Sequence, residues 1–249
     1  MNIISEKAQI GEGTKIGNFT SVFEDVKIGK SCIIGNNVVI HKGTKIGDFV
    51  RIDDNTVIGK GKMRAVLSVV KDVHKEPPAE IGDNCLIGTH VVIYAGAKIS
   101  KHVLVADSAS IRERVSIGEY TIVGRLVTIE QDVEIGRKCK LETGCYITAI
   151  SKIEDYCFIA PMVTTSNDNY MGRTEERLKH FKGVTVKKGG RIGANAVILP
   201  GIKIAEDGQA AAGAVVTKDI PPKKIYVGVP AKPFRDVPNE QLLESQNWD

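Results

Sequence analysis

Aliphatic residues recur at every sixth position along most of this chain. One run covers 4–58, a second covers 81–159 and a third covers 186–216, which makes thirty hexads in all. A period of six matches no helix, but it is typical of short parallel strands wound into a solenoid with three hexads per triangular coil. The pattern therefore predicts an all-β parallel β-helix of about ten coils. We call the repeated aliphatic residue the anchor and expect it to point inward.

The slot two residues before an anchor should also point inward, and all five cysteines occupy it. Elsewhere this slot takes Val, Ala or Thr, so the pattern predicts buried small hydrophobic residues and not nucleophiles, metal ligands or disulfides: Cys32, Cys85, Cys139, Cys145 and Cys157. Free thiols fit a reducing compartment. Because neither a leader nor an apolar run of membrane length is evident, we expect a cytoplasmic protein without a membrane partner.

Two segments interrupt the count of six and predict inserted loops, 60–80 and 165–185. Long loops in a compact solenoid are usually functional, and these two could wall a cleft. After the last hexad, a short helix beginning after Pro238 is expected to cap the open end. The predicted organisation is one β-helix domain over 1–237, followed by a cap helix and tail over 238–249.

Positive charge is concentrated near the end of the chain. The net charge is +4, and residues 182–235 contain ten Lys or Arg against three acids. This excess is either a generally solvated surface or a site for a polyanionic small molecule. Nucleic acid is not expected as a partner, because no basic motif interleaved with aromatic residues is present.

Residues eighteen apart should stack along one edge of a triangular solenoid, about 4.8 Å from coil to coil. Two of the three columns that follow an anchor are rich in glycine and alanine, whereas the third contains Tyr94, Arg112 and Glu130. The adjoining column adds Glu113 and Gln131. If the 60–80 loop drops no face, the same corner continues to Gly59 and His41. The corner is either an ordinary surface ladder with an Arg112–Glu130 ion pair, or a polar pocket in which a carboxylate accepts a proton.

The histidines do not suggest a metal site. A zinc site needs several ligands that converge on one point, and the spacing of the five histidines predicts no such convergence. We therefore expect no metal. His41 and His180 stay of interest because of their corner and loop positions.

The end of the repeat region resembles the hexapeptide-repeat acyltransferases, which have a left-handed parallel β-helix. The resemblance rests on the repeats and on two segments, 211–221 (AAGAVVTKDIP) and 227–232 (VGVPAK), which are similar to the acetyl-coenzyme A segment of that family. It implies a left-handed solenoid, a homotrimer and acetyl-coenzyme A as co-substrate. Ala212 and Gly213 would lie against the pantetheine arm, and Lys218, Lys232 and Arg235 would meet the phosphates.

Two further segments, 167–170 (NDNY) and 197–201 (VILPG), are similar to bacterial N-acetyltransferases that act on dTDP- or UDP-linked aminosugars. The segments 79–84 and 111–113 parallel the UDP-N-acetylglucosamine O-acyltransferase of lipid A synthesis, with Glu113 where that enzyme has its catalytic histidine. An amine needs positioning and the loss of one proton, which a carboxylate can accept, whereas a hydroxyl needs a stronger base. This departure therefore favours an amine acceptor.

The resemblance and the corner together predict an acetyl-coenzyme A-dependent N-acetyltransferase acting on the amino group of a nucleotide-linked aminosugar. Glu113 is expected to be the catalytic residue. The residues expected to bind the substrate are Tyr94, Arg112, Glu130, Gln131, Asn167 and Asp168. Two alternatives stay open, namely an O-acyltransferase with His41 or His180 as base, and a non-catalytic β-helix scaffold.

Overall fold

The chain winds through three sheets, parallel except for the last strand pair of the third, in the computed structural model, which describes residues 1–66 and 75–247. Each coil contributes one strand to each sheet, so that Ile93 is paired with Ile111 of the next coil. The first sheet consists of Ile3–Ile4, Ser21–Val22, Val39–Ile40, Val57–Lys60, Val92–Tyr94, Ser110–Ile111, Thr128–Ile129, Tyr146–Ile147, Thr164–Thr165, Val197–Ile198 and Val215–Val216. The second consists of Gln9–Ile10, Lys27–Ile28, Lys45–Ile46, Glu80–Ile81, Lys98–Ile99, Ser116–Ile117, Glu134–Ile135, Lys152–Ile153, Thr185–Val186 and Lys203–Ile204. The third consists of Lys15–Ile16, Ile33–Ile34, Arg51–Ile52, Leu86–Ile87, Leu104–Val105, Ile122–Val123, Lys140–Leu141, Phe158–Ile159, Arg191–Ile192, Gln209–Ala210, Lys224–Val227 and Lys232–Asp236. The predicted all-β solenoid is confirmed.

The anchors form the core, because alternate residues of a strand point to opposite faces. Ile58 and Ile93 are wholly buried, and they stack in register although the 60–80 loop lies between them. The first coil is the exception, since Ile4 and Ile10 are 42% and 38% exposed at the open end. Stacked aliphatic side chains thus provide the cohesion between coils.

The slot two residues before an anchor is also buried, and all five cysteines in it are free thiols. Threonine is tolerated there because its hydroxyl finds backbone partners. Thr121 Oγ1 donates to the carbonyl of Gly136 at 2.8 Å and accepts from the N–H of Cys139 at 3.0 Å. Glycine after an anchor has a steric cause, since a Cβ at Gly17 would lie 2.6 Å from the carbonyl carbon of Gly35.

Both interruptions leave the solenoid at the same corner, between the first and second sheets. The first follows Val57–Lys60 and ends at Glu80–Ile81, which pairs in register with Lys45–Ile46. The aliphatic pattern stops at Ile159, but the solenoid continues for one more hexad before the second loop begins. Thr165 occupies the anchor position of that hexad and is buried. This loop contains one short 3-10 helix, Glu175–Lys179.

A hairpin and two short 3-10 helices follow the last coil. Lys224–Val227 pairs antiparallel with Lys232–Asp236. The predicted cap helix takes the form of two 3-10 helices, Asn239–Gln241 and Leu243–Ser245, with Leu242 buried in a small cluster of its own. Over the described ranges no helix has the length and apolar character needed to span a bilayer.

Candidate active site

The corner between the first and second sheets carries the polar column predicted from the spacing. Because Ile111 and Ile129 are paired in register, the residues that follow them stack along one edge. The Arg112 guanidinium carbon lies 4.9 Å from the centre of the Tyr94 ring. Arg112 Nη1 lies 3.4 Å from Glu130 Oε2. The structure therefore brings these predicted site residues together, while their roles remain predictions.

Glu113 is the most unusual member of this group, because its side chain is wholly buried. Its carboxylate accepts hydrogen bonds from Arg112 Nε at 2.9 Å and Nη2 at 3.3 Å, and Arg64 Nη2 lies 3.2 Å from Oε1. Burial acts to raise the pKa of Glu113, but hydrogen bonds from Arg112 and from its own main-chain N–H, together with the charges of Arg112 and Arg64, outweigh burial and lower the pKa below its ordinary value. The carboxylate is ionised at neutral pH with both oxygens occupied, which suits it to orient Arg112 better than to accept a proton.

A local irregularity makes room for the large side chains at this corner. Val57–Lys60 and Val92–Tyr94 are longer than the usual two residues, and the register shifts between Ile58 and Lys60. A bulge of this kind redirects side chains and is common beside functional sites. It places Lys60 Nζ 5.3 Å from the centre of the Tyr94 ring. The corner therefore contains the Lys60 ammonium as well as the Arg112 guanidinium, and the repeat spacing alone could not predict that Lys60 lies here.

Two clefts lie beside this column. The larger one, of about 930 Å³, lies at one end of the column, between the coil wall and the described parts of the 60–80 loop. His41 lies in its wall and stacks on Phe23 with the ring centres 5.4 Å apart. Burial and the neighbouring Lys60 ammonium lower the pKa of His41. A neutral imidazole beside an open cleft is a possible proton acceptor at pH 7. Its position agrees with the predicted continuation of the corner.

Ion pairs join the two described parts of the loop to each other and to the wall of this cleft. Lys62 Nζ lies 3.0 Å from Glu76 Oε1, and both side chains are largely buried. Arg114 contacts the same carboxylate and also donates from Nη2 to Asp132 at 2.9 Å. Because one arginine joins the loop to two coils, the cleft is part of the folded structure and not only a gap beneath the loop.

A smaller cleft of about 320 Å³ lies at the other end of the column, beneath the second loop. It brings together three residues predicted to bind the substrate, since its lining includes Gln131, Asn167 and Asp168. Burial acts to raise the pKa of Asp168, but N–H groups of the loop and the Arg177 guanidinium lower it overall. Its carboxylate accepts from Tyr170 N–H at 2.8 Å, so Asp168 shapes the loop as much as it lines the cleft.

Tyr146 lies close to Glu130 in this column and was not predicted from the sequence. Burial raises the pKa of Tyr146, and the Glu130 carboxylate contributes to the increase. Tyr146 occupies the outward position before an anchor, one coil beyond Glu130. An eighteen-residue search on the strand positions, and not only on the corner positions, could have found it. Arg64 carried no such signal, because it lies in a loop outside the repeat.

His180 does not lie in either cleft. Its ring stacks on Tyr170 with the centres 5.7 Å apart, and its Nε2 lies 3.3 Å from Glu176 Oε1 on the exposed loop. No group of three His, Cys, Asp or Glu residues in the described part of the chain is arranged to hold a metal ion. His74, which the sequence places in the first loop, is outside the described residues.

The residues predicted to hold acetyl-coenzyme A lie in the last coil and the hairpin after it: Ala212, Gly213, Lys218, Lys232 and Arg235. The hairpin lies against this coil, because the N–H of Ala231 donates to the carbonyl of Val215 at 2.8 Å. Arg235 lies over the Phe234 ring, at 5.7 Å from its centre. Lys218 follows Val215–Val216, and no contact between described residues joins it to Lys232 or Arg235. The five residues share one end of the solenoid without forming one cluster.

Comparisons with protein families support the repeat assignment. The family described as bacterial transferase hexapeptide (six repeats) matches residues 7–42. The family described as hexapeptide repeat of succinyl-transferase matches residues 25–60, 78–106 and 114–149.

Individual relatives are similar over short stretches only. A protein of Schizosaccharomyces pombe, provisionally named an acetyltransferase, is 55% identical over 49 residues, which is 20% of this chain and 24% of that protein. The 2,3,4,5-tetrahydropyridine-2,6-dicarboxylate N-acetyltransferase of Enterococcus faecalis is 40% identical over 55 residues, or 22% of this chain and 24% of that protein. The matches thus span about a quarter of these curated relatives. Among solved structures, the UDP-N-acetylglucosamine acyltransferase of Campylobacter jejuni aligns with 94% of this chain and 72% of its own, at 18% identity and a TM-score of 0.48.

Proposed function

We propose that this chain, whose repeats match two hexapeptide-repeat family models, is an acyltransferase with its acceptor site at the corner of Tyr94, Arg112 and Glu130. The observation that supports this most is the exit of both inserted loops at the one corner where large polar residues replace glycine and alanine. The two clefts, of about 930 Å³ and 320 Å³, lie at the two ends of that column. Convergent polar groups beside a concave surface are the usual form of a small-molecule site.

The proposed reaction transfers an acetyl group from acetyl-coenzyme A to the amine of a nucleotide-linked aminosugar. The neutral amine attacks the thioester carbonyl and forms the C–N bond, and the tetrahedral intermediate then loses the thiolate as the C–S bond breaks. The amine proton leaves to a nearby acceptor or water. Glu113 is our predicted acceptor, but its contacts to Arg112 and Arg64 support a positioning role. Main-chain N–H groups of a neighbouring coil would stabilise the oxyanion.

The acceptor sugar is proposed to contact the polar column and the smaller cleft. Arg112 presents a planar donor that Tyr94 and Glu130 hold in place, and such a donor suits sugar hydroxyls. Gln131 and Asn167 line the smaller cleft and offer amide groups. Asp168 is proposed to act through the loop conformation as well as by contact.

Acetyl-coenzyme A is proposed to bind along the last coil and the hairpin. The basic excess of 182–235 lies on these elements, which suits the phosphates of the coenzyme. Ala212 and Gly213 leave the backbone open to the pantetheine arm. Lys218, Lys232 and Arg235 would supply the charge.

A homotrimer is proposed to form through the outer face of the first sheet. The outward residue of each of its eleven strands is uncharged, as in Val39, Val92 and Val197. The outward residues of the second sheet are charged in seven of ten strands. A charge-free face is typical of the core of a stable interface. Light scattering of the wild type and of Val92→Lys tests this, and a monomer in both cases would refute it.

A thermal-shift panel tests the substrate class. Binding to the folded state raises the melting temperature by mass action, so a dTDP- or UDP-aminosugar should shift it in the presence of coenzyme A. The matched control is the corresponding sugar with a hydroxyl in place of the amine. Acetylation of the amine, followed by mass spectrometry, should then be lost in Arg112→Ala. Absence of any coenzyme A binding by calorimetry would favour the scaffold alternative.

A second candidate, transfer to a sugar hydroxyl, is favoured by one observation. His41 lies in the larger cleft with a lowered pKa, so it is neutral and able to accept a hydroxyl proton at pH 7. In that case His41→Asn should lower kcat by about a hundredfold or more. The wild-type rate should also fall below the pKa of His41 as the imidazole is protonated. An unchanged kcat in this variant, with amine acceptors preferred, would exclude this candidate.

A further inference from the structure

Two of the five buried cysteines are neighbours in the core. Cys139 and Cys157 are eighteen residues apart and occupy the same inward slot in successive coils. The anchors that follow them, Leu141 and Ile159, pair in register. The coils are hydrogen-bonded beside the two thiols, since the N–H of Lys140 donates to the carbonyl of Cys157 at 2.9 Å. The two cysteine side chains therefore follow each other along the axis of the solenoid.

The other three cysteines have no second thiol in the neighbouring coils. The strand pairing places aliphatic or hydroxyl side chains in the adjacent slots: Val50 and Val103 beside Cys85, Val127 and Val163 beside Cys145, and Thr14 and Val50 beside Cys32. The chain thus contains one adjacent pair of thiols, and its three isolated thiols serve as an internal reference for any reaction of that pair.

The spacing of the two coils suits a disulfide bond. Neighbouring strands lie about 4.8 Å apart, and the Cα atoms of bridged cysteines lie about 4.4–6.8 Å apart. The two thiols also interact, because a hydrogen bond from Cys157 lowers the pKa of Cys139 and the same interaction raises the pKa of Cys157. An S–S bond between them therefore needs no separation or sliding of the coils.

Main-chain carbonyls of the following coil orient both thiols. Cys139 Sγ donates to the carbonyl of Glu154 at 3.0 Å, and Cys157 Sγ donates to the carbonyl of Lys187 at 3.2 Å. Because a thiol is a weak hydrogen-bond donor, these contacts set the direction of each sulfur at rest without preventing a change of rotamer. Formation of a disulfide would replace two weak hydrogen bonds by one covalent bond.

A surface groove provides a route from solvent to this pair. Cys157 lies in the wall of a groove of about 620 Å³ at the corner between the second and third sheets, although its side chain is only 1% exposed. Cys139 is wholly buried, so a small oxidant approaches the pair from the side of Cys157. Local opening of one coil is enough for this approach, because solenoid repeats can open without global unfolding.

We infer that Cys139 and Cys157 are a reversible oxidative modification site, at which hydrogen peroxide converts the two thiols into a disulfide that joins successive coils. The Cys139 thiolate attacks one peroxide oxygen, so that an S–O bond forms, the O–O bond breaks and hydroxide leaves with the thiol proton as water. The Cys157 sulfur then attacks the Cys139 sulfur, so that the S–S bond forms, the S–O bond breaks and a second water carries away the Cys157 proton. The two thiols lose two electrons, and one peroxide is reduced to two waters. The inference does not depend on the proposed acyl transfer.

Oxidation of the native wild type by hydrogen peroxide tests this inference. Samples are alkylated in denaturant after the reaction, and mass spectrometry counts the thiols that remain. The count should fall by two from the five free thiols of the resting chain. Dithiothreitol should restore it, because thiols reduce a disulfide but not a sulfinic acid. Proteolysis should yield one cross-linked peptide pair that contains Cys139 and Cys157.

Matched variants assign the reaction to this pair. Cys139→Val removes one member of the pair, and Cys85→Val removes an isolated thiol as the control. Both variants should fold, which circular dichroism checks, because valine is buried in the same slot of other coils at Val50 and Val103. Cys85→Val should still lose two thiols at the wild-type rate. In Cys139→Val the reversible loss should slow about tenfold or more, because the remaining thiol has no neighbour to complete the bond. Cys157→Ala repeats the test from the other side of the pair.

Three results would overturn the inference. One is retention of all five thiols in the native wild type at a peroxide concentration that oxidises the same thiols in denaturant. Another is a reversible loss of thiols in Cys139→Val that matches the wild type. The third is a cross-link that joins other cysteines or two separate chains, which would place the disulfide outside this pair.

Discussion

Replacing Glu113 with glutamine probes the centre of the candidate active site. The variant keeps the shape of the side chain but removes the charge and turns an acceptor oxygen into a donor that faces guanidinium groups. In the wild type, Arg112 approaches this carboxylate at 2.9 Å and Arg64 at 3.2 Å. Removing one partner of a buried ion pair costs about 3–5 kcal/mol. Because the two arginine side chains are still 22–23% exposed, we expect a smaller loss of stability, about 2–4 kcal/mol.

Thermal unfolding should show this loss as a fall of roughly 4–16 °C in the melting temperature. The matched control is Glu130→Gln, which belongs to the same column but is 22% exposed and has a 3.4 Å contact; it should cost less than about 1 kcal/mol. Hydrogen exchange should locate the change in the coils around Glu113, because solenoid repeats can open locally. Equal stability of the two variants would refute the described contacts.

The pH dependence carries a definite sign. The folded-state pKa of Glu113 is lowered, so its contribution is complete above the ordinary glutamate pKa, about 4.3, and is lost as the pH falls through the folded value. The stability gap between wild type and Glu113→Gln should therefore be constant from pH 6 to 8 and narrow below about pH 4.

Turnover separates two roles for Glu113, namely proton acceptance and positioning of Arg112. A fall in kcat of about a hundredfold or more would support proton acceptance, a rise in KM would support positioning of Arg112, and wild-type kinetics would exclude both.

Three further substitutions test the fold around the site. Ile129→Ala should lower the free energy of unfolding by about 2–5 kcal/mol in denaturant titrations, because this wholly buried anchor leaves a cavity; a loss under 1 kcal/mol would contradict its place in the core. Thr165→Val should destabilise by about 1–3 kcal/mol, since it removes the hydroxyl that accepts the N–H of Thr148 at 2.8 Å, whereas a simple gain in anchor hydrophobicity predicts stabilisation. Gly59→Ala should cost about 1–3 kcal/mol, because φ is +79° and the new Cβ would lie 2.4 Å from a threonine hydroxyl. Gly61→Ala, with open space around it, is the control and should retain wild-type stability.

The repeat period made most of the fold predictable, because each anchor fixes the position of its neighbours in three dimensions. The pairing of Ile58 with Ile93 across the first loop follows from the assumption that the loop drops no face, and the register confirms it. The period also predicted that Arg112 would lie between Tyr94 and Glu130. One anchor was not predicted, because Thr165 lies six residues after Ile159 but is not aliphatic. Its hydroxyl is satisfied internally, so a polar residue could take an apolar slot.

Contacts made by the loops could not be predicted in the same way. Nothing in the period indicates where Arg64 lies, so its approach to the buried Glu113 carboxylate, in addition to that of Arg112, could not be predicted. The prediction that Glu113 accepts a proton rests on its column and on the family resemblance, and neither indicates which cations neutralise its charge. The hairpin after Val215–Val216 also lies outside the repeat, which is why the five predicted coenzyme residues share a region without sharing a cluster.

The departures from the repeat concentrate at one corner, and their concentration is itself an argument for function. Glycine follows twelve of the thirty anchors, at positions where a Cβ would strike a neighbouring group. Large polar residues replace it in one column, and the same column contains the bulge at Lys60, opposite Tyr94. The same corner releases both loops and buries an ionised carboxylate, each at a cost that simple repeats avoid. Sequences that satisfy local rules elsewhere usually break them where binding or catalysis requires it. A scaffold would gain nothing from three such costs at one edge, whereas an acceptor site needs all three: a widened corner, two cleft walls and a fixed guanidinium.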